Sequence, residues 1–282
     1  MNETMPLLCS TGAFSRYPRH TDYRATLNYG PQLDVDGFEL MFYPHWAEQL
    51  DEITAQLKQS RLHFPALHAE KSVGTALGSL QEEERTQGLR MLEANARLGS
   101  ALGTQLLVLH LWGWPELDDR LDINLQCLGR CLDLAESYGL ELAVETIPGR
   151  RSDPLSNVRR AIEQDARAKV ALDTEFLARY NQLDETLAAE WLWQEPLVRH
   201  IHIKDFDTTL FSRENDRRYL HPGEGEIDFA HVFAALKAHS FSGNISLEAS
   251  AINAEGVVDV PRIQHSLALL RGLIDGDATM SC

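Results

Sequence analysis

Acidic and histidine side chains recur along this chain directly after short apolar runs. Glu145, Asp173, His202 and Glu248 end or nearly end four of these runs, and together they offer three carboxylates and one imidazole. Three carboxylates held close together without a cation would repel one another, and most would have to take up protons. A divalent cation removes that conflict, and oxygen-rich ligation with one nitrogen suits Mn²⁺, Mg²⁺ or Co²⁺. The four side chains therefore predict one metal site, provided that the fold brings them together.

The apolar runs number eight, and they alternate with amphipathic stretches. We interpret the runs as strands, at residues 7–11, 37–42, 64–68, 106–110, 141–145, 169–173, 199–204 and 244–248. The amphipathic stretches predict helices, at 46–60, 79–101, 119–138, 155–167, 183–190, 228–239 and 259–274. The region 19–34 has no clear pattern.

The spacing of the runs indicates the fold class. Runs that end at 110, 145, 173 and 202 are 35, 28 and 29 residues apart, close to the roughly 30 residues of one β-α unit. Nearly continuous apolar strands that alternate with helices are typical of a parallel sheet buried on both faces. Eight such units predict an α/β fold, a (β/α)₈ TIM barrel, as a single domain over 1–282 whose last few residues form a flexible tail. An open doubly wound sheet would usually carry a glycine-rich phosphate loop after its first strand, and 10–16 reads S-T-G-A-F-S-R instead.

Polar residues and glycines mark the ends of several predicted helices. Asp153 and Asp259, each followed closely by a proline, are typical of helix starts. Gly99 and Gly139 stand where we expect two helices to stop.

The composition is acidic. Lys plus Arg number 26 against 42 Asp plus Glu, which gives a formal net charge of −16. Such a charge repels phosphate backbones, so we expect no nucleic-acid partner. The four cysteines lack paired-ligand spacing, and Cys127 and Cys131, four apart in a helical pattern, are expected to be small core residues. Neither a signal-like N-terminus nor a run of about 18 apolar residues is present, so we expect a cytoplasmic protein without membrane contact.

Three motifs in the last third of the chain resemble one family. They are R-H-I-H-I-K-D at 199–205, H-P-G-E-G-E-I-D-F at 221–229 and G-N-I-S-L-E at 243–248. In this order they resemble the xylose isomerase-like TIM barrel superfamily, in which a sugar isomerase and epimerase branch is related to the type IV apurinic endonucleases. The resemblance extends over nearly the whole chain. It implies a metal bound by the residues that end the fifth, sixth and eighth strands and by the histidine of H-x-K-D, which are Glu145, Asp173, Glu248 and His202.

The resemblance also implies an activity. It implies a divalent-metal-dependent isomerase or epimerase of a small ketose, polyol or cyclitol, with one cation per chain, Mn²⁺ preferred and Mg²⁺, Co²⁺ or Zn²⁺ as alternatives. Glu145 would remove a proton from carbon and Glu248 would return one, through a metal-stabilised enediolate. Return to the other face gives epimerisation, return to the neighbouring carbon gives isomerisation, and loss of a β-hydroxyl gives dehydration of the inosose or dehydroshikimate type. The sequence leaves these three outcomes open, and it also leaves open whether the protein forms a homo-oligomer.

Two other functions are open. An apurinic endonuclease-like phosphodiesterase would need a histidine three residues after Asp173 and an Asp-x-His pair before Gly-Glu-Gly, where this chain has Phe176, Arg217 and Tyr219. The second is a sugar-binding barrel without turnover, because all four ligands could serve binding alone.

Two further histidines end the third and fourth runs. His68 and His110 match a pair that holds another metal, together with the fifth-strand glutamate, in the endonuclease branch. A second metal bound by His68, His110 and Glu145 is one interpretation, hydrogen bonding to substrate hydroxyls is the preferred one, and a structural pair is the third. Glu39 and His200 are weaker candidates for the site. His200 could act as a partner that orients a metal ligand.

Further side chains are expected near the substrate. Trp112 and Trp114 could stack on a sugar ring or pack against the next loop. Lys204 could reach a substrate oxygen or form a salt bridge with a neighbouring carboxylate. An arginine could hold a substrate carboxylate or phosphate, the candidates being Arg213, Arg217 and Arg218. We predict substrate contacts for His68, His110, Trp112, Lys204 and Arg217.

Overall fold

Eight short parallel strands form the centre of the fold. In this computed structural model, which describes residues 5–16, 19–113, 117–210 and 219–276, the strands follow one another in sequence order and close into a barrel. They are β1 (Leu7–Ser10), β2 (Gly37–Met41), β3 (Ala66–His68), β4 (Leu106–Leu109), β5 (Glu141–Glu145), β6 (Lys169–Asp173), β7 (Val198–Ile203) and β8 (Asn244–Leu247). The predicted (β/α)₈ TIM barrel is confirmed.

Helices follow the strands. They are α1 (Arg24–Tyr29), α2 (Leu50–Gln59), α3 (Ser72–Leu77), α4 (Glu82–Leu102), α5 (Leu121–Ser137), α6 (Pro154–Gln164), α7 (Thr174–Arg179), α8 (Leu183–Ala188), α9 (Glu190–Trp193), α10 (Phe229–Ala238) and α11 (Val260–Asp275). All seven predicted amphipathic stretches contain a helix. The pattern did not predict α1, α3, α7 and α9, which have six, six, six and four residues, because such short helices complete too few turns to display a period.

Aspartates begin several of these helices, as predicted. The side chain of Asp153 accepts the Ser156 N–H at 2.8 Å, and that of Asp259 accepts the Arg262 N–H at 3.0 Å. Each contact satisfies a backbone donor that the first turn of a helix leaves unpaired.

The expectation that Gly99 ends a helix is wrong. Gly99 lies inside α4, which continues to Leu102 and is followed by Gly103 in the left-handed region with a φ of 78°. A Cβ on Gly99 would lie 3.4 Å from the Cβ of Thr104, so Gly99 permits close packing where the chain leaves the helix. Gly139, with a φ of 74°, follows the end of α5 as expected.

The chain divides into two compact units, Met1–Phe38 with Asp173–Cys282, and Glu39–Leu172. In the first, β8 pairs with both β1 and β7, and in the second, β3, β4, β5 and β6 pair in order. The strands are buried over nearly their whole length, which agrees with parallel strands covered on both faces. Among the described residues, no helix has the length and apolar character needed to span a membrane.

Candidate metal and active site

One group of strand-end side chains lies in the unit 39–172. His68 ends β3, His110 directly follows β4 and Glu145 ends β5, and all three are buried. The same carboxylate oxygen, Glu145 Oε2, lies 3.1 Å from His68 Nε2 and 2.6 Å from His110 Nε2. The two imidazole rings meet edge to face, with centroids 4.8 Å apart. The three residues offer ligand atoms that all lie within 4.8 Å of one another, so this buried group could hold a metal ion.

Hydrogen positions in this group follow from the partners. Burial lowers the pKa of His110 to about 4, even though Glu145 acts in the opposite direction, so the ring is neutral near pH 7 and donates Nε2–H to Glu145. His68 Nδ1 lies 2.7 Å from the carbonyl oxygen of Ala69. A carbonyl oxygen only accepts, so Nδ1 carries the hydrogen.

A second group lies in the other unit, at the ends of β6, β7 and β8. Asp173 and His202 are 0% exposed and Glu248 is 6% exposed. His202 Nδ1 lies 3.5 Å from Glu248 Oε2. Between the two carboxylates lies Lys204, whose Nζ is 2.5 Å from Asp173 Oδ2 and 2.5 Å from Glu248 Oε2. These strand ends therefore bring together three of the four predicted ligands, with a lysine among them.

Local hydrogen bonds fix this second group. Asp173 Oδ1 accepts the Phe176 N–H at 3.1 Å and so caps α7, while Oδ2 faces Lys204. The Thr174 hydroxyl lies 2.6 Å from the Lys204 carbonyl oxygen and accepts the Lys204 N–H at 3.0 Å. The four residues from Asp173 to Phe176 thus hold both the aspartate and the backbone that carries the lysine.

Lys204 has further neighbours that the sequence did not assign to it. Its Nζ lies 3.9 Å from Glu175 Oε2 and 4.6 Å from the centre of the Phe176 ring. Of the two roles expected for this lysine, the salt bridge with neighbouring carboxylates is present. Contact with a substrate oxygen stays a prediction.

The motif H-P-G-E-G-E-I-D-F is held by a residue that sequence reasoning missed. Asp205 is 1% exposed, and its carboxylate accepts the N–H groups of Gly223, Gly225 and Ile227 at 2.9, 2.9 and 3.1 Å. A Cβ on Gly225 would lie 2.5 Å from Asp205 Oδ1, so the second glycine of the motif is required by this close approach. The sequence did contain a signal for this residue, because Asp205 is the aspartate of the H-x-K-D motif.

The remaining predicted contact residues have different outcomes. Trp112 is 0% exposed and its indole N–H donates to the Pro148 carbonyl at 3.0 Å, which favours packing over stacking on a sugar. His200 and Glu39 are fully buried, and the rings of His200 and His202 lie 4.8 Å apart. Four predicted residues lie outside the described residues, namely Trp114, Arg213, Arg217 and Arg218.

The positions that distinguish the endonuclease branch carry aromatic rings. Phe176 lies under the Lys204 ammonium, and the Tyr219 ring lies 4.0 Å from the guanidinium carbon of Arg16. Neither residue is the histidine that the endonuclease branch has at that position.

A family model described as the xylose isomerase-like TIM barrel matches residues 30–273. A 3-dehydro-D-guloside 4-epimerase from Escherichia coli (strain K12) is 28% identical over 262 residues, which is 86% of this chain and 92% of that protein. A crystal structure of D-allulose 3-epimerase from Methylomonas sp. in complex with D-allulose has a TM-score of 0.69 at 18% identity, over 95% of this chain and 90% of that one. A 3-keto-D-glucoside 4-epimerase from E. coli has a TM-score of 0.66 at 22% identity, over 95% and 99%. The two structures establish similarity of fold.

Proposed function

Because the chain belongs to the xylose isomerase-like TIM barrel family, we propose that it is a divalent-metal-dependent sugar epimerase. The relatives support the choice of reaction, since the names of all three describe epimerases of sugars. In a keto sugar, the carbon beside the carbonyl carries the acidic proton, and 3-dehydro sugars changed at C4 are of this type. The proposed substrate is therefore a keto sugar or keto glycoside, epimerised at a carbon next to its carbonyl.

The metal site of the proposal consists of Glu145, Asp173, His202 and Glu248. The observation that carries it is that Asp173, His202 and Glu248 are buried and each offer one ligand atom, and that these atoms all lie within 4.8 Å of one another. Glu145 completes the proposed set because it ends its own strand, as Asp173 does. Three carboxylates and an imidazole without thiolates fit Mn²⁺, Mg²⁺ or Co²⁺, with Mn²⁺ preferred. Such a cation, when bound, polarises a substrate carbonyl and stabilises negative charge on its oxygen.

Glu145 is the proposed base. The N–H of His110, 2.6 Å from Oε2, fixes the orientation of the carboxylate, as a partner of a ligand commonly does. His68 Nε2 lies 3.1 Å from the same oxygen, so two imidazole rings hold this carboxylate in place. The two histidines thus position Glu145 for proton transfer.

Glu248 is the proposed acid that returns a proton to carbon. Its Oε2 atom lies 3.5 Å from one imidazole nitrogen, that of His202, whereas Glu145 Oε2 contacts two imidazole rings, so the two carboxylates have different surroundings. Two carboxyl groups in different environments are what an acid and base pair requires. Dehydration shares the first proton transfer and differs only in what leaves afterwards, so the product separates the two reactions.

Deuterium exchange tests this function. Protein stripped with a chelator and reloaded with Mn²⁺ is incubated in D₂O with a panel of keto sugars, and NMR follows the loss of the C–H signal beside the carbonyl. We expect exchange and formation of the epimer, and loss of both in Glu145→Gln and Glu248→Gln. Glu163→Gln removes a carboxylate that pairs with Arg159 on the surface of α6, and it is the matched control. A product lighter by one water would indicate the dehydratase, and absence of exchange with every sugar in the loaded protein would contradict the proposal.

A further inference from the structure

Lys204 has an unusual position for a lysine, since only 1% of its surface is exposed. Its ammonium contacts two predicted metal ligands, Asp173 and Glu248, at 2.5 Å each. Lysine is almost never fully buried unless it is paired, and here the pairing is with the oxygens that the proposed cation needs. This inference therefore rests on the proposed metal site.

Lys204 and the proposed cation would compete for the same two carboxylate oxygens. Asp173 Oδ1 accepts the Phe176 N–H, so Oδ2 is the oxygen that the aspartate turns away from α7, and Lys204 contacts that oxygen. Glu248 Oε2 faces Lys204 and His202 together. A divalent cation bound to the same two oxygens would lie within a few ångströms of the ammonium, and the two positive charges would repel in a buried site.

The surrounding charges suggest where the ammonium goes. Asp173, Glu175 and Glu248 carry three negative charges when ionised, and Lys204 balances one of them. Glu175 Oε2 lies 3.9 Å from Nζ, and Glu175 belongs to the first turn of α7 and not to the proposed ligand set. A lysine that moves toward Glu175 keeps a carboxylate partner, so it avoids the penalty of an unpaired buried charge.

We propose that Lys204 is a built-in cation that holds Asp173 and Glu248 together in the metal-free protein, and that a bound divalent cation displaces its ammonium toward Glu175. Lys204 then limits the affinity for metal and keeps the acidic site folded before the metal arrives. It is a positioning residue for the ligands, separate from any contact with substrate.

Calorimetric titration of chelator-stripped protein with Mn²⁺ tests the competition. Lys204→Met keeps the length of the side chain and removes the charge, so we expect Mn²⁺ to bind more tightly, on the order of tenfold. The metal-free variant should also have a lower Tm than the wild type, and Mn²⁺ should reduce that difference. Lys237→Met is the matched control, because the ammonium of Lys237 contacts the Leu273 carbonyl on the surface, and it should leave the affinity unchanged. Equal or weaker binding to folded Lys204→Met would overturn the proposal.

A double-mutant cycle tests whether the displaced Lys204 ammonium moves toward Glu175. Glu175→Gln should weaken Mn²⁺ binding several-fold in the wild-type background, because the displaced lysine loses its second partner. The same change in the Lys204→Met background should have no effect, since no ammonium has to move. An equal effect in both backgrounds would mean that Glu175 acts on the cation directly, and would refute the displacement.

Two outcomes separate this inference from the proposed function. If neither wild type nor Lys204→Met binds Mn²⁺, the metal site itself fails and the inference with it. If the wild type binds Mn²⁺ and folded Lys204→Met binds it no better, only the inference fails. Should Lys204→Met not fold, ¹⁵N NMR of the lysine ammonium groups in the wild type decides, because adding Mg²⁺ must shift the Lys204 signal. An unchanged signal in the Mg²⁺-bound protein refutes displacement.

Discussion

His110 donates its Nε2–H to Glu145 Oε2 across 2.6 Å, inside a buried group that also contains His68. The contact links the ends of two neighbouring strands, β4 and β5, and it fixes one oxygen of the proposed base. The orientation of Glu145 therefore depends on a side chain 35 residues earlier in the sequence.

Replacement of His110 tests this dependence. His110→Phe keeps an aromatic ring and removes the donor, and we expect deuterium exchange to slow by roughly 10- to 100-fold. His110→Gln retains an N–H donor and should recover part of the rate, which a purely structural role would not explain. His231→Gln changes an exposed imidazole on α10 and is the control. Equal rates in His110→Phe and the wild type would show that the contact does not orient the base.

Removal of the metal should lower stability. A ligand at roughly one hundred times its Kd stabilises the native state by about 3 kcal/mol, so Mn²⁺ should raise the Tm of stripped protein in a thermal melt. Asp173→Asn should lose this increase. Asparagine can still cap α7, so the variant separates the ligand role of the side chain from its capping role. A full Mn²⁺-dependent increase in Asp173→Asn would exclude Asp173 as a ligand.

The contact between Asp205 and Gly225 predicts a large loss of stability. In Gly225→Ala the new Cβ would lie 2.5 Å from Asp205 Oδ1 and against the backbone carbonyl oxygen of Phe206. The loop must therefore move, and we expect a loss on the order of 3 kcal/mol in denaturant unfolding. Gly272→Ala is the matched control, because a Cβ at this position in α11 meets nothing within 4 Å. That variant should gain up to about 1 kcal/mol, since alanine favours a helix over glycine. Similar effects at both positions would contradict the role given to Asp205.

His221 predicts a dependence of stability on pH. Its ring contacts Ser266 Oγ at 2.7 Å, and burial, followed by the nearby Arg262 charge, lowers the pKa to about 4 from 6.5. The folded state therefore keeps His221 neutral where the unfolded chain already takes up a proton, so stability is lost as the pH falls from 6.5 to 4. The full effect is on the order of 3 kcal/mol.

His221→Gln removes this titration. Between pH 7 and pH 4, urea unfolding of the variant should show a smaller loss of free energy than the wild type. The comparison uses the difference between the two proteins, because carboxylates titrate in both. Parallel curves would mean that His221 does not contribute to acid sensitivity.

The sequence predicted the barrel and the strand ends well, because buried parallel strands leave continuous apolar runs and their last residues point to the same edge. It did not predict which side chains would pair there. For Lys204 the sequence predicted either a substrate contact or a salt bridge, without naming the carboxylate. The two carboxylates that it contacts lie 31 and 44 residues away along the chain. A pattern of neighbouring residues cannot predict a contact between side chains that are so far apart in the sequence.

The errors have local causes as well. Gly99 resembled a helix stop because glycine is common there, yet only the backbone of α4 reveals that the glycine serves packing. Asp205 belonged to a recognised motif, but its three N–H partners come from a loop some twenty residues later. Arg217 and Trp114 lie outside the described residues and stay predictions.

Asp173 joins two tasks in one side chain, since one oxygen begins α7 and the other faces Lys204. Length matters as much as charge at this position: a glutamate would carry its oxygens one methylene farther and could not meet both partners from the same backbone. The four residues from Asp173 to Phe176 therefore act as one structural unit. A redesign of the barrel after β6 therefore has to keep or transplant these four residues together.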